Sequence, residues 1–540
     1  MTKISIFVTS DTHGQWIERE DYHGLSLIDT AMTLKNLRDT CDHPTLTIDL
    51  GDFIQGSGLA TYYSQERKDG TMFAKVMNAL TYDVQLMGNH EFNFGMAYRQ
   101  RIFEQLNAPI LAANIIDERT GQPYYGQPFR IFERSGIKIG VLGVTTSYIK
   151  HWELPENYKG LDILDAYETT KKYVEELRPQ VDILCVAYHG GFEKDLATFE
   201  AIEPLTGENQ GAQMIESIPG IDILLTGHQH RQLAGMSRGV VYLQPGYGGE
   251  FIGRIDIELD NEGQVINMTP TNIPVLDKQV AAKWLHTALE PEYSEGRRWL
   301  QTSIGYSKIQ SPTNNPFEAR LYGHPYAELL NQIQLQETGA QFSSVAIVND
   351  FFSHLVGEVT QEKLLQIYPF FNLIATVKVT GQDLYDIMEH NMTYFSWTPT
   401  GELRINPSKL DPKPQHYNLD LYSGFTSVID LTQPFGYRVI ELMDEKTGKA
   451  IEREQEYLVA VSQYRAVGGG NYLNYSEDKI LNISDVDIAS RLKEKLNQLT
   501  PEDWHTINHH YQHIQLVHQP TLSNSPEDIS DMTVIETYPK

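Results

Sequence analysis

Apolar and polar positions alternate in a repeating two-part pattern through roughly the first 260 residues. Short, strongly apolar runs read as strands: "KISIFVTS" from Lys3, "TLTIDL" from Thr45, "DVQLM" from Asp83, "IKIGVLGV" from Ile137, "VDILCVAY" from Val181 and "IDILLTG" from Ile221. Between them, "SLIDTAMTLKNLRDT", "TMFAKVMNAL", "AYRQRIFEQL" and "DAYETTKKYVEELR" place apolar residues at helical spacing. Near-continuous apolar strands alternating with amphipathic helices predict a layered α/β sheet domain. "VVYLQPGYGGEFIGRIDIEL", from Val240, reads as an antiparallel pair closing it.

The pattern loosens over residues 271–325, which hold "NIPVLD", a Trp- and Leu-bearing helix near "AAKWLHTALE" and the turn-rich "SPTNNPF"; this reads as a connecting region after a first domain, 1–270. A second α/β block, 326–515, is predicted from the helices "HPYAELLNQIQLQ" and "QDLYDIMEHNMTYF" and the strands "SSVAIVN", "ATVKVTG", "GFTSVIDL" and "EYLVAVS". Residues 516–540 are polar, acidic and aperiodic, and are expected to form a loosely held tail. In "HTINHHYQH", His505, His509 and His513 fall at i, i+4 and i+8, which reads as an exposed polar helix face rather than a metal site.

At 540 residues, two domains plus a tail is the natural division. The net charge of −28 opposes nucleic acid polymers and anionic membranes, so any anionic partner is small and met by local positive charge. Of the two cysteines, Cys185 sits inside a strand-like run and reads as an inert core thiol. The N-terminus enters a strand directly, without a signal-peptide pattern, and no apolar run reaches membrane-spanning length; the expected compartment is the cytoplasm.

Chemistry gathers where the strands end. "SDTHG" supplies Asp11 and His13, "LGDFIQG" Asp52, "GNHEFN" Asn89 and His90, "AYHGG" His189, and "TGHQH" His228 and His230. The carboxyl ends of strands in an open α/β sheet converge on one crevice, so these eight residues are expected to share a site. One such motif alone is more often a turn or a helix cap than a metal site. Five together point to metal. Carboxylate, imidazole and amide oxygen suit divalent Mn, Zn, Fe or Co better than an all-oxygen Mg or Ca cage. A carboxylate between two ligand sets can bridge cations about 3.5–4 Å apart, as in two-metal phosphoester hydrolysis.

The ordered set "DTHG", "GDFIQGS", "GNHEF", "HGG" and "GHQH" resembles the calcineurin-like metallophosphoesterase signature. The two-domain extent resembles the 5′-nucleotidase family, which implies a four-layer αββα sandwich plus a smaller C-terminal α/β nucleotide-binding domain. Carried onto this chain, the resemblance gives Asp11, His13 and His230 to one divalent cation and Asn89, His189 and His228 to the other, with Asp52 bridging. His90 is then the unligated residue that stabilises charge on phosphate or leaving oxygen, during in-line attack by an activated water without a covalent enzyme intermediate.

"HYNLD" and "YRAVGGGNY" resemble the segments that sandwich the base, which implies Tyr417 and Tyr464 as a clamp beside Gly468, Gly469 and Gly470. The chain has "GGGNY" and "IVNDFF" where the 5′-nucleotidase branch carries "GGDGY" and an Arg-bearing "GGGIR". "YRAVGGGNY", "YSGFTSVIDLTQP" and "GDFIQGS" look more like the 2′,3′-cyclic-nucleotide 2′-phosphodiesterase/3′-nucleotidase branch. So does Asn93 in "NHEFN": where the 5′-nucleotidase branch has Asp paired with the catalytic His, an amide here can orient His90 through its carbonyl. The resemblance thus implies a dimetal hydrolase of 2′,3′-cyclic and 3′-nucleotides. A 5′-nucleotidase or nucleotide-sugar hydrolase is the alternative within this class, and a non-catalytic nucleotide sensor the alternative outside it.

Overall fold

The computed structural model describes residues 2–15, 27–275, 283–370, 372–411 and 414–539. Contacts divide the chain into two units, Met1–Trp299 and Leu300–Lys540.

In the first unit two six-stranded sheets lie face to face. One runs in the order Val265–Pro274, Phe251–Leu259, Thr2–Thr9, Thr45–Asp49, Val84–Leu86, Ile110–Leu111. The other runs Gln232–Ser237, Val240–Pro245, Ile223–Thr226, Ile183–His189, Ile137–Thr145, Phe129–Arg134. The last four strands of the first sheet are mutually parallel, as are the middle four of the second. Strand alternation sorts the side chains. Ile4, Ile6, Val8, Ile183, Cys185 and Ala187 join the core between the sheets, whereas Phe7, Leu184, Val186 and Tyr188 join clusters on the outer faces. The helix Thr71–Leu80 contributes to one outer cluster, and the helices Ala166–Leu177 and Gly211–Ser217 to the other. The result is the four-layer αββα arrangement. Burial pushes the Cys185 thiol well above its ordinary pKa, which fits an inert core group.

The run from Val240 departs from expectation. Its two strands do not pair: Val240–Pro245 lies parallel to Ile223–Thr226, and Phe251–Leu259 lies antiparallel to Thr2–Thr9 in the opposite sheet. Three glycines between them, Gly246, Gly248 and Gly249, have positive φ and carry the chain from one sheet to the other.

Residues 276–282, within the expected connecting segment, lie outside the described residues. The rest of that segment is regular, with the strand end at Pro274, the helix Lys283–Leu300, the strand Ser303–Ser307 and the helix Pro316–Tyr322.

The second unit is built on a five-stranded mixed sheet ordered Asp420–Ser423, Phe342–Ala346, Glu456–Ser462, Leu373–Thr380, Ile480–Asp487. A four-stranded sheet and two antiparallel strand pairs complete its strands among the described residues. The terminal segment is fastened rather than loose. Ile535 bridges to Trp397 and Leu522 to Leu403, Arg404 donates to the Thr533 carbonyl, and Arg438 donates to that of Glu536. An acidic, aperiodic segment can still be ordered through its backbone, which composition does not reveal. Among the described residues, no helix is long and apolar enough to cross a membrane.

His505 and His509 lie exposed on the helix Pro501–His509, as expected, but His513 does not share their face. The helix ends first, and His513 is buried between Glu328 (3.0 Å) and Glu445 (2.8 Å). Burial alone would lower its pKa; the two carboxylates overcome this and push it up to about 9. Its stabilisation is therefore complete below the ordinary imidazole value near 6.5 and fades as pH rises through about 9. Removing one partner of a buried ion pair costs about 3 kcal/mol. His513→Gln should therefore destabilise the protein by about that much at pH 6, and the gap to wild type in denaturant melts should shrink above pH 9.

Candidate active site

The predicted residues of the first unit lie at or just beyond the carboxyl ends of its strands. The parallel registers Thr9–Asp49 and Asp49–Gln85 bring three strand ends level in one sheet, and Thr145–His189 and Thr226–Tyr188 do so in the other. A hydrogen bond from His189 Nδ1 to the Leu50 carbonyl (2.8 Å) joins the two sheets at this edge. Asp11, His13, Asp52, His228 and His230 all have positive φ, between 49° and 66°. Non-glycine residues enter this region at a cost, and such strain gathers where geometry serves function.

Two ligand groups result. Asp11, His13 and His230 form one. His13 Nε2 and His230 Nε2 are 3.0 Å apart, and His230 Nε2 lies 3.5 Å from Asp11 Oδ1. Asp52, His189 and His228 form the other, joined by Asn89, whose Oδ1 lies 3.2 Å from His189 Nε2 and 2.9 Å from His228 Nδ1. The opposite ring nitrogens are held by acceptors: His13 Nδ1 by the Gln55 carbonyl (2.9 Å), His189 Nδ1 by that of Leu50, and His228 Nε2 by Glu208 (2.9 Å). Such bonds fix ring orientation in metal sites.

These residues fit divalent cations. Asp52 Oδ2 is buried, 3.0 Å from His189 Nε2, and has no aligned hydrogen bond. Its partner atom Oδ1 accepts from the His90 backbone N–H at 2.7 Å. Burial opposes ionisation of Asp11 and Asp52, but the surrounding histidines, His189 foremost, hold both carboxyls well below their ordinary pKa. Reciprocally, burial would lower His189 but Asp52 and Asp11 push it up to about 10. The cluster is a concentrated charge array whose members a cation can satisfy.

Glu91 joins two of the turns. Its carboxylate accepts from the backbone N–H groups of Asp52 (2.7 Å), Phe53 (2.8 Å) and Gly88 (2.6 Å), which accords with a structural part for this residue. Burial and the nearby Asp52 push it up to about 7 against the pull of those three donors. His90 stands at the mouth with its side chain 30% exposed and Nε2 4.0 Å from Asp52 Oδ2. Its Nδ1 lies 2.7 Å from Asn93 Oδ1, and Asn93 Nδ2 donates to Glu153 at 2.5 Å.

In the second unit, Tyr417 lies in the turn His416–Asn418 that enters the strand Asp420–Ser423, and Tyr464 in the helix Gln463–Ala466 that leaves Glu456–Ser462. Those strands run antiparallel and parallel to Phe342–Ala346, so the start of one and the end of the other share an edge. The rings stand 6.3 Å apart at 70°, edge to face rather than parallel. Gly468 and Gly470 have positive φ, and a Cβ on Gly469 would lie 2.6 Å from Tyr464 Cζ. Buried Arg465 ties the two segments together. It pairs with Asp420 through two nitrogens (2.8 and 2.9 Å), donates to the carbonyls of Tyr417 and Gly469, and lies over the Tyr472 ring. Asp350, in the "IVNDFF" segment, pairs with the buried Arg320 at 2.8 Å.

The calcineurin-like phosphoesterase family matches residues 4–232, and the 5′-nucleotidase C-terminal domain family matches 303–477. A solved structure of a Staphylococcus aureus protein, described as a "Putative 5′-Nucleotidase" in complex with alpha-ketoglutarate, is 30% identical; it superposes with a TM-score of 0.86 over 95% of this chain and 100% of that one. The chain belongs to the 5′-nucleotidase family of calcineurin-like phosphoesterases. Members of this nucleotidase family are hydrolases of phosphoric esters, and calcineurin-like phosphoesterases use divalent metal ions. The chain is 26% identical over 547 residues to the 2′,3′-cyclic-nucleotide 2′-phosphodiesterase/3′-nucleotidase of Salmonella typhimurium, covering 86% of this chain and 81% of that protein. It is 24% identical over 566 residues to the trifunctional nucleotide phosphoesterase protein of Bacillus subtilis, covering 90% of this chain but 37% of that protein.

Sequence reasoning did not single out Glu153, Glu208 and Tyr247, which pack beside the first unit's candidate residues, or Arg465, which lies beside the tyrosines of the second. Tyr247, stacked on His230 at 4.7 Å, also follows a strand, so the rule that found the other turns reaches it. Arg465 lies within the quoted "YRAVGGGNY". Glu153 and Glu208 lie in segments with no motif and meet the site only through the fold.

Gly88 offers a direct check on the second ligand group. A Cβ there would lie 2.1 Å from Asp52 Oδ1 and 2.6 Å from His189 Cε1. Gly88→Ala should weaken retention of one cation by roughly 10–100-fold, read as metal per chain after dialysis against graded chelator.

Proposed function

We propose that this chain hydrolyses 2′,3′-cyclic nucleotides and 3′-nucleotides. In this reading Asp11, His13 and His230 would hold one divalent cation and Asn89, His189 and His228 the other, with Asp52 as their shared carboxylate. The observation that supports hydrolysis is the buried Asp52 Oδ2 in the ligand group with His189 and His228, without an aligned hydrogen bond, 3.0 Å from His189 Nε2 and 4.0 Å from His90 Nε2. The bound cations supply positive charge to the phosphate and lower the pKa of the attacking water. The chain's own contribution is orientation and charge. The strained turns hold the ligand atoms in place, and His90 Nε2 faces the phosphate or leaving oxygen, where it donates a proton or a hydrogen bond. Tyr417 and Tyr464 stack on the base; such stacking contributes roughly 1–3 kcal/mol per base and tolerates different bases.

The cyclic and 3′ substrates are favoured by the amide at Asn93, by "YRAVGGGNY", and by likeness to the Salmonella typhimurium protein of that name. The Staphylococcus aureus structure described as a "Putative 5′-Nucleotidase" supports a second reading, hydrolysis of 5′-nucleotides. A sensor that binds without turnover has no use for His90 beside two full ligand groups.

Phosphate release from 2′,3′-cAMP (with added phosphatase), 3′-AMP and 5′-AMP, each with added Mn²⁺, separates these readings. The first two should be preferred by at least about tenfold in kcat/KM. Preference for 5′-AMP without cyclic activity would overturn the proposal, and nucleotide binding without turnover at any metal loading would favour a sensor.

A further inference from the structure

Residues 90, 93, 153 and 157 form a linear relay that runs away from the ligand groups. His90 Nδ1 meets Asn93 Oδ1 at 2.7 Å, Asn93 Nδ2 donates to Glu153 Oε1 at 2.5 Å, and Asn157 Nδ2 donates to Glu153 Oε2 at 2.8 Å. Glu153 caps the short helix Ile149–Trp152, with its backbone N–H donating to the Ile149 carbonyl at 2.9 Å, so its Cα is fixed by local structure. The Asn93 and His90 side chains are half-buried.

An asparagine amide presents either its carbonyl or its NH₂ to a neighbour, and the two faces have nearly the same shape. Against an imidazole nitrogen they demand opposite tautomers. The carbonyl requires Nδ1–H, whereas the NH₂ requires a bare Nδ1 and leaves the proton on Nε2. Asn93 alone therefore does not determine the protonation pattern of His90. Glu153 removes the ambiguity. Its Oε1 accepts, so the NH₂ of Asn93 must face it and the carbonyl must face His90. With Nδ1–H committed to that carbonyl, the proton that His90 exchanges at the mouth of the site belongs to Nε2.

We propose that Glu153 is a positioning residue for catalysis, orienting the Asn93 amide and through it the tautomer of His90. This rests on the nucleotide-hydrolase reading for its kinetic consequence but not for its structural one. It also explains why an amide serves at position 93. A carboxylate there would stand 2.5 Å from a second carboxylate, whereas the amide accepts from His90 on one side and donates to Glu153 on the other.

The relay predicts an exchange. Glu153→Gln offers Asn93 a group that can face it either way, and Asn93→Asp sets two carboxylates together. The double variant Asn93→Asp/Glu153→Gln restores the pattern, since the amide now at position 153 donates to the carboxylate now at position 93, which accepts from His90. On the substrate that wild type prefers, each single variant should lose roughly 10-fold or more in kcat with KM changed by less than about threefold, the usual scale for a residue supporting a reactive one. The double variant should return to within about threefold of wild type, with metal content constant throughout. Full activity in Glu153→Gln, or a double variant as impaired as the product of the singles, would overturn the proposal. Long-range ¹⁵N–¹H correlation of the His90 ring, assigned by difference from His90→Ala, reads the tautomer without turnover and without the substitution at position 93. Wild type should show Nδ1–H and Glu153→Gln a mixed or Nε2–H form; the same tautomer in both would overturn the relay. Absence of phosphate release from any nucleotide by wild type would instead count against the hydrolase reading and leave the tautomer result to stand alone.

Discussion

Asp52 Oδ2 is a buried carboxylate oxygen with no aligned hydrogen bond, 3.0 Å from His189 Nε2 and 4.0 Å from His90 Nε2. An ionised oxygen buried there needs positive charge beside it, which His189, its own pKa pushed up by Asp52 and Asp11, supplies in part and a bound cation would complete. Much of the surrounding structure serves to hold it there. Glu91 fixes the Asp52 backbone, the His90 N–H fixes the other carboxylate oxygen, and Gly88 leaves the space that Asp52 and His189 occupy. The strained φ of Asp52 is shared by four other residues at the same edge. Stability here is given up for placement, and the sandwich core beneath, built from continuous apolar strands, supplies the rigidity that sustains it.

The two units divide the chemistry differently. In the first, the candidate ligands sit at and beyond the ends of parallel strands, where aligned registers set relative positions. In the second, the tyrosine-bearing segments depend on one buried cation. Arg465 is paired with Asp420, and its remaining donors engage the backbone of both segments. A guanidinium suits that task because its planar fork serves several acceptors at once, which a lysine ammonium matches poorly.

The legible parts of the site share one property: contiguity with a strand. Asp11, Asp52, Asn89, His189 and His228 follow apolar runs directly, so alternation located both the strand and the polar turn. The layered α/β class was equally legible from helical spacing between apolar strands, whereas the number of layers came only from the resemblance to the metallophosphoesterases. Failures came where tertiary context overrides local pattern. "VVYLQP" and "FIGRIDIEL" look like a hairpin, yet three left-handed glycines send them to opposite sheets. His513 continues a helical spacing beyond the end of its helix and is claimed by Glu328, 185 residues away. Residues 516–540 have no periodicity because they are held through main-chain bonds rather than an apolar stripe. Glu153 has no motif at all, since its meaning comes from an amide 60 residues distant.

The central claim is that two cations meet at Asp52, and anomalous scattering from crystals grown with Mn²⁺ tests it most directly. Two peaks are predicted, one among Asp11, His13 and His230 and one among Asn89, His189 and His228, with an oxygen of Asp52 within coordination distance of both. A single peak, or two peaks of which either lies out of reach of Asp52, would contradict the account.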